Sequence, residues 1–253
     1  MAAVTRISVT PVKGTALQHP DSVQLDEHGC RHNRLFHFID PEGRLVNGKQ
    51  CGPLATVHCE VQDDGPDSPV LSTRLPDGTV LAEPVQLTAE RVQTGFYGRP
   101  VAGTVVGGPF AKAISEAVGK ELRLVRVDQP GAGVDVHPVT VIGNASMDQL
   151  RADVAAPAKQ WADRFRMLLE LDGLAPYEEE GWAGGQVRIG EVVLSVGDRV
   201  PRCVVTKQNP ADGSRDFNTL DALQSHREGL LLGMYATVLQ PGTVHLGDAV
   251  TTR

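Results

Sequence analysis

Short stretches in which apolar and polar residues alternate dominate the first 95 residues, and glycine and proline separate them. Runs of about four to eight residues rich in valine, threonine and leucine are typical of β-strands. The runs that we predict as strands in this part are 4–10, 36–40, 56–61, 69–75 and 79–81. The turn Pro76-Asp77-Gly78 fits a hairpin between the last two. Since no helical period is convincing here, the pattern favours a small β-barrel or sandwich.

A few later segments change to helical spacing. Apolar residues three to four positions apart predict a helix over 110–118, and Gly119 can end it. Asn144 can cap a second helix. The spacing predicts a third helix over 218–227, whereas 160–171 is compatible with either a helix or a strand.

The alternating pattern returns in the rest of the second half. The strands predicted there are 121–127, 139–142, 186–189, 191–196, 203–207, 233–239, 242–246 and 248–251. Glycine and proline at 129–133 break the chain, and we predict a domain boundary near this point. The fold class predicted is mainly β with a few helices (α+β), arranged as two β-barrel-like modules.

Composition and charge narrow the classes of function. The 253 residues are 41% hydrophobic and 22% charged, which is typical of a globular protein. The net charge of −7 argues against a general nucleic-acid or anionic-membrane binder. No apolar stretch approaches the roughly 20 residues of a membrane span, and no secretory signal is evident. We therefore expect a cytoplasmic protein with no nucleic-acid and no membrane partner.

Cysteine and glycine motifs exclude several common sites. The four cysteines form no Cys-x-x-Cys pair, so we expect reduced thiols rather than a disulfide framework. A zinc site would have to draw on residues whose spacing matches no common structural zinc pattern. They are Cys30, His32, His37, Cys51, His58 and Cys59. Neither a Rossmann glycine motif nor a P-loop is present.

One cysteine stands in a chemically distinctive segment. Cys203 follows Arg202 and precedes Lys207, after which come a proline and a glycine. The pattern predicts that Cys203 enters a strand from a loop. Nearby cations favour the thiolate form. A thiolate can be a nucleophile, a sulfur carrier or a ligand for a soft metal, while the alternative is a small buried hydrophobic residue.

Basic residues recur at predicted strand ends and turns. Lys13 follows the first strand, Arg31 and Arg34 precede the strand at residue 36, Arg164 and Arg166 bracket Phe165, and Arg202 precedes Cys203. Cations at such positions are candidates for binding a phosphate or another anionic group. Solvated surface charge is the alternative for each one, so only their convergence would make a site.

Ordered motifs in the two halves resemble a known family. The second half contains Arg202-Cys203-Val204-Val205-Thr206, Asn209-Pro210-Ala211-Asp212-Gly213 and Pro241-Gly242-Thr243-Val244-His245-Leu246-Gly247-Asp248. This series resembles the MOSC proteins, named for the C-terminal domain of the molybdenum-cofactor sulfurases. The first half, with Thr10-Pro11-Val12-Lys13-Gly14, is similar to the β-barrel domain that often precedes a MOSC domain. The resemblance implies an N-terminal MOSC-type β-barrel domain at 1–127 and a MOSC domain at 128–253.

The resemblance also implies a cofactor and a reaction. Two-domain members such as the amidoxime-reducing enzymes hold a pyranopterin molybdenum cofactor between the domains. Cys203 matches the thiolate that ligates molybdenum, and Asp135 matches an acidic catalytic residue near the metal. The basic residues that would hold the pterin and its phosphate are Lys13, Arg34, Arg166 and Arg202. The implied reaction is the two-electron reduction of an N-hydroxylated or N-oxide small molecule, with electrons from a separate electron-donor protein.

Two further hypotheses remain open beside this one. Cys203 could carry a persulfide that a cysteine desulfurase supplies, or the chain could be a non-catalytic cofactor-binding module. The chain also departs from the family pattern. Met167-Leu168 follows Arg166 where the family usually has Pro-Asn, and Gly14 follows Lys13 where it usually has Ser.

Overall fold

The computed structural model describes residues 1–62 and 69–252. Residues in strands and isolated β-bridges make up 41% of the described residues, which confirms the prediction of a mainly β protein with a few helices. Three α-helices lie in the described residues at the predicted places: α1 (Phe110–Val118), α2 (Asn144–Asp153) and α3 (Thr219–His226). Gly119 ends α1 with a φ of 68°, a left-handed conformation that glycine adopts easily.

Eleven of the described strands precede residue 128. They are β1 (Ala3–Ile7), β2 (Ser22–Asp26), β3 (Gly29–Cys30), β4 (Phe36–Ile39), β5 (Leu45–Val46), β6 (His58–Gln62), β7 (Val70–Arg74), β8 (Val80–Pro84), β9 (Leu87–Phe96), β10 (Arg99–Val106) and β11 (Arg123–Val127). Seven described strands follow. They are β12 (Val139–Gly143), β13 (Leu169–Asp172), β14 (Gln186–Ile189), β15 (Val192–Pro201), β16 (Leu231–Gln240), β17 (Gly242–His245) and β18 (Val250–Thr252).

The largest sheet forms a nearly closed barrel. Its seven strands run in the order β1-β13-β12-β16-β15-β14-β18. An antiparallel bridge between Ala3 and Ala249 brings the two edge strands together, and the Val4 N–H donates to Asp248 O at 3.0 Å. Closure pairs backbone groups that would otherwise face solvent at the edges. Inward-facing valines, leucines and isoleucines from these strands form one buried cluster.

Strands β4 to β11 form two smaller antiparallel sheets. One has the order β5-β4-β11-β10-β9 and the other the order β6-β7-β8. Their shared core includes Phe36, Phe38 and Phe110, all buried. This arrangement agrees with the β-barrel predicted for the first half.

Chain order and sheet membership do not coincide at the N-terminus. β1 pairs with β13 in the largest sheet, and β2 lies between β3 and β17 in a three-stranded sheet, so strands from the start of the chain pair with strands of the second half. The division of the chain at residues 127 and 128 stays a prediction. In the parts of the chain that the structure describes, no helix has both the length and the apolar character needed to cross a bilayer.

Candidate functional site

The six residues predicted for the site converge on one cavity between the two halves of the molecule. This inner cavity has a volume of about 360 Å³. The predicted residues that line it are Lys13, Arg34, Asp135, Arg166, Arg202 and Cys203. They come from five separate stretches of the chain, so the fold, and not the local sequence, brings them together.

Cys203 does not enter a strand, contrary to the sequence prediction. β15 ends at Pro201, and Cys203 immediately precedes a 3-10 helix over Val204–Lys207. Thr206 causes this turn locally, because its N–H and its hydroxyl both donate to Cys203 O, at 3.1 and 2.9 Å. Such short-range bonds compete with strand pairing and override the β propensity of the two valines. The half-buried Cys203 is therefore held at the wall of the inner cavity.

A compact ionic cluster faces Cys203 across the cavity lining. Asp135 accepts a hydrogen bond from Lys13 Nζ at 2.6 Å through Oδ1, and one from Arg34 Nη1 at 2.9 Å through Oδ2. Burial, followed by the charge of Arg34, lowers the pKa of Lys13 to about 7 although Asp135 acts in the opposite direction. Burial disfavours ionisation of Asp135, but Arg34 and Lys13 outweigh it and hold the pKa of its carboxyl below its usual value. The carboxyl is thus ionised at neutral pH, while Lys13 can gain or lose a proton there.

Gly133 allows this cluster to assemble. A Cβ at Gly133 would overlap with the carbonyl oxygen of Arg34, so the segment before Asp135 can cross the segment before β4 only with glycine there. Lys13 Nζ also donates to Gly133 O at 2.8 Å. The glycines that signalled a chain break in the sequence therefore serve a close backbone approach.

The guanidinium of Arg202 donates its hydrogen bonds to groups inside the protein. Its guanidinium donates from Nε to Leu232 O at 2.9 Å, from Nη1 to Phe165 O at 2.9 Å and from Nη2 to the sulfur of Met167 at 2.7 Å. Burial lowers its pKa to about 10, so the side chain stays charged at neutral pH. Arg202 joins β15, β16 and the segment after Phe165 behind the cavity wall.

Arg166, by contrast, is a cation without a carboxylate. In the residues that the structure describes, its side chain makes one hydrogen bond, from Nη2 to Thr15 O at 2.8 Å, and no salt bridge. Burial and the charge of Arg34 lower its pKa to about 10, so it too stays charged at neutral pH. Its φ of 53° is unusual for a residue with a side chain. Such costly conformations cluster at ligand sites, and Arg34 and Tyr97 at the same cavity share the feature.

The sequence prediction missed the first-half residues at the cavity mouth. Tyr97 lies at the tip of the β9–β10 hairpin, where it accepts a hydrogen bond from Asn47 Nδ2 at 3.2 Å. The Lys49 ammonium lies 4.6 Å from the Tyr97 ring centroid, a cation–π contact. The signal that could have revealed the hairpin is Tyr97-Gly98, a two-residue turn with positive φ at both positions.

The structure accommodates the departures from the family pattern. Met167 is buried against Arg202, and Leu168 joins the hydrophobic core of the barrel. Gly14 has a φ of 95°, and a Cβ there would lie 3.3 Å from the Asn47 Cα. A residue with a side chain would therefore be strained at position 14.

The zinc alternative finds no support among the described residues, because no cluster of three or more His, Cys, Asp or Glu side chains there could hold a metal ion. His37 is buried, with Nε2 2.9 Å from Thr94 Oγ1, and burial together with the charge of Lys13 lowers its pKa to about 3. Cys59 is buried, and its sulfur lies 3.7 Å from Thr73 Oγ1. Both act as packed residues.

The donor set fits a cofactor that combines a soft metal with an anionic organic part. Cys203 offers a sulfur ligand of the kind that soft metals prefer. Arg166 offers a half-buried guanidinium that forms no salt bridge within the described residues, so an anionic group can pair with it directly. The cavity volume is within the range of common ligand sites, about 300–1,000 Å³.

Comparison with protein families confirms the resemblance seen in the sequence. Residues 128–251 match the model of the MOSC domain, and residues 1–121 match the model of the MOSC N-terminal beta barrel domain. Together the two models account for nearly the whole chain.

Individual relatives are more distant. The chain is 24% identical to a molybdenum cofactor sulfurase of Drosophila erecta over 95% of its own length and 32% of that protein. It is 29% identical to the human mitochondrial amidoxime-reducing component 1, over 99% of its own length and 82% of that protein. The chain therefore spans about a third of the length of the sulfurases that it matches. The crystal structure of the YUAD protein from Bacillus subtilis aligns with 99% of this chain and 94% of its own, at 10% identity and a TM-score of 0.47.

Proposed function

Because the chain belongs to the MOSC domain family, we propose that it binds a pyranopterin molybdenum cofactor in the inner cavity and reduces N-hydroxylated or N-oxide small molecules. The observation that carries the proposal is the convergence of Cys203 with the unpaired cation Arg166 on one cavity. The similarity to a protein named as an amidoxime-reducing component supports the type of reaction.

The roles of the side chains follow from their geometry. Cys203 would ligate molybdenum, and Arg166 would hold the anionic end of the cofactor. When bound, the cofactor supplies a two-electron redox centre that accepts oxygen from the substrate. Lys13 and Arg34 hold Asp135 ionised at the cavity, with 41% of the Asp135 side chain accessible. Arg202 would act indirectly, because its hydrogen bonds to Leu232 O and Phe165 O hold the cavity wall in position.

Protons are the second requirement of the reaction. Reduction of an N–OH group to N–H with release of water consumes two electrons and two protons. Lys13 Nζ titrates near neutral pH and lies 2.6 Å from Asp135 Oδ1, so the pair can hold a proton at the cavity. We expect the electrons to come from a separate electron-donor protein.

The test is to replace Cys203 and to measure the cofactor directly. Wild-type protein and Cys203→Ala, both from a host that makes the cofactor, would be compared for molybdenum content and for pterin fluorescence after oxidation. We expect stoichiometric molybdenum and N-hydroxylamine or amidoxime reduction in the wild type, and loss of both in the variant. Because Cys203 is half-buried at a cavity, thermal unfolding should change little.

Cys30→Ala is the matched control, because Cys30 is also half-buried but does not line the inner cavity. It should retain molybdenum and activity. Wild-type protein without molybdenum would contradict the proposal. A Cys203→Ala variant that keeps its activity but unfolds at a much lower temperature would instead identify the thiol as a packing residue.

A second candidate function is sulfur transfer from a Cys203 persulfide. It is favoured by the similarity to proteins named as molybdenum cofactor sulfurases and by the position of the thiol at the cavity wall. Incubation with a cysteine desulfurase and cysteine, followed by mass spectrometry, would test it. Sulfur added to Cys203 in the metal-free protein would support this role, and its absence would count against it. If both tests fail, the non-catalytic binding module is the remaining hypothesis.

A further inference from the structure

A second, larger depression adjoins the inner cavity. This outer cleft has a volume of about 800 Å³ and lies between the β6–β7 edge of the first half and the segments near residues 160 and 210 of the second. Its charged and titratable lining residues are Arg6, His19, His58, Arg74, Asp163 and Arg166. Arg166 also lines the inner cavity, so one guanidinium stands at the junction of the two spaces.

Most cations around these two spaces already have partners. Lys13 and Arg34 share the carboxylate of Asp135. Arg6 forms an ion pair with Asp163 at one side of the outer cleft. These groups add little free positive charge for a ligand.

Two of the arginines that line the outer cleft form no salt bridge with any described residue. Arg166 makes no salt bridge, and neither a hydrogen bond nor a salt bridge involves the side chain of Arg74. Arg74 ends β7 directly opposite His58 on β6, so their side chains share one face of that sheet and both line the cleft. The outer cleft therefore has a free guanidinium on the first-half side and a second one at its inner end.

We infer that the outer cleft binds an organic diphosphate, with Arg166 at the phosphate nearer the inner cavity and Arg74 at the farther one. Arginine forks match phosphate oxygens in a bidentate manner, and two separated forks suit a ligand with two phosphates better than a single carboxylate. The cleft volume is sufficient for an organic group beyond the phosphates.

Such a ligand has two sources. It can be a nucleotide extension of the cofactor whose pterin lies in the inner cavity, which rests on the proposed function, or it can be a free nucleoside diphosphate. Because Arg166 lines both the inner cavity and the outer cleft, either ligand would place a phosphate at this residue.

The first arm of the test measures binding without reference to molybdenum. Protein prepared without the cofactor would be titrated calorimetrically with inorganic pyrophosphate, cytidine diphosphate and guanosine diphosphate. We expect binding by the wild type and a roughly tenfold or greater loss in Arg74→Ala, the effect of one missing charge-assisted hydrogen bond. Arg91→Ala, which removes an equally exposed arginine away from the cleft, should bind as the wild type does. Because Arg74 is exposed, its variant should unfold at the wild-type temperature.

The second arm identifies the source by mass spectrometry of the ligand released from holoprotein. A pterin joined to a nucleotide would support the extended cofactor, while pterin alone together with Arg74-dependent diphosphate binding would support a free nucleotide. Absence of diphosphate binding together with absence of any released nucleotide would overturn the inference even if molybdenum is present. An Arg74→Ala variant with wild-type affinity would overturn it too. Diphosphate binding in a protein that never takes up molybdenum would leave this inference standing while the proposed function fails.

Discussion

Removal of the charge on Asp135 tests the ionic cluster that faces Cys203. In Asp135→Asn the shape of the side chain is retained, but one of its two acceptor oxygens becomes an NH₂ group. In the wild type Oδ1 lies 2.6 Å from Lys13 Nζ and Oδ2 lies 2.9 Å from Arg34 Nη1. The variant can keep only one of these contacts, and it leaves both cations without a carboxylate.

The expected loss follows from these two contacts. Hydrogen bonds to charged groups each contribute about 1.5–3 kcal/mol. Since 41% of the Asp135 side chain is accessible, solvent screens part of that contribution. Lys13, of which only 5% is exposed, can also relieve the cost by losing its proton. We therefore expect the free energy of unfolding to fall by about 1–3 kcal/mol.

Urea unfolding at neutral pH would measure the change, because a shift of the midpoint at constant slope reports stability alone. Glu42→Gln is the control, since it removes the negative charge of an exposed pair with Arg44 at 2.8 Å and should cost less than about 1 kcal/mol. The pKa of Lys13, followed by NMR after reductive methylation, should fall below about 7 because the raising influence of Asp135 is gone. Equal losses in Asp135→Asn and Glu42→Gln, or a higher Lys13 pKa in the variant, would refute the reasoning.

Two further changes probe the same site. Gly133→Ala places a Cβ against Arg34 O and should lower the free energy of unfolding by about 1–3 kcal/mol. Gly95→Ala is the control and should be nearly neutral, because no atom lies within 4 Å of the added carbon. Equal melting temperatures of the two variants would contradict this prediction. The folded-state pKa of Lys13 is about 7 instead of 10.5, so the unfolded chain binds more protons between these values and stability should rise with pH there. Lys13→Met should lose this part of the pH slope, at most about 1.4 kcal/mol per pH unit, in urea unfolding at pH 7 to 9; a slope as steep as that of the wild type would count against it.

Local patterns predicted most elements but failed where two local tendencies compete. The structure confirms the helices at 110–118 and 144–153, and Gly119 ends the first as predicted. The prediction that Asn144 caps the second helix is wrong, because the cap is Gly143 and the Asn144 side chain donates to Thr5 Oγ1 at 3.0 Å. The valines of segment 203–207 predict a strand. In the structure, the hydrogen bond from the Thr206 hydroxyl to Cys203 O stabilises a 3-10 helix there instead. Strand β9 escaped prediction because most of its residues are exposed, so its apolar residues are sparse. Strand β10 also escaped prediction, although its last four residues are buried and it contains three valines.

The candidate site was predictable in its membership but not in the state of its charges. Residue type and position indicated six cations, from which the family resemblance selected four, and these four line the inner cavity, whereas Arg31 does not. Whether each cation is available to a ligand depends on contacts between residues far apart in the sequence. Arg34 contacts Asp135, 101 positions away, and Arg166 contacts Thr15, 151 positions away. No local pattern contains these partners.

The contrast between Arg202 and Arg166 shows what this difference means for experiments. Carbonyl groups of Leu232 and Phe165 occupy the guanidinium of Arg202, so its removal would leave buried acceptors unpaired and move the cavity wall. Arg166 makes one such contact, with Thr15 O, and it forms no salt bridge within the described residues. Loss of ligand in an Arg202 variant is therefore explained equally well by a displaced wall. Loss of ligand in an Arg166 variant of unchanged stability points to direct contact between Arg166 and the ligand. The guanidinium of Arg166 forms no salt bridge within the described residues, so an anionic ligand can pair with it.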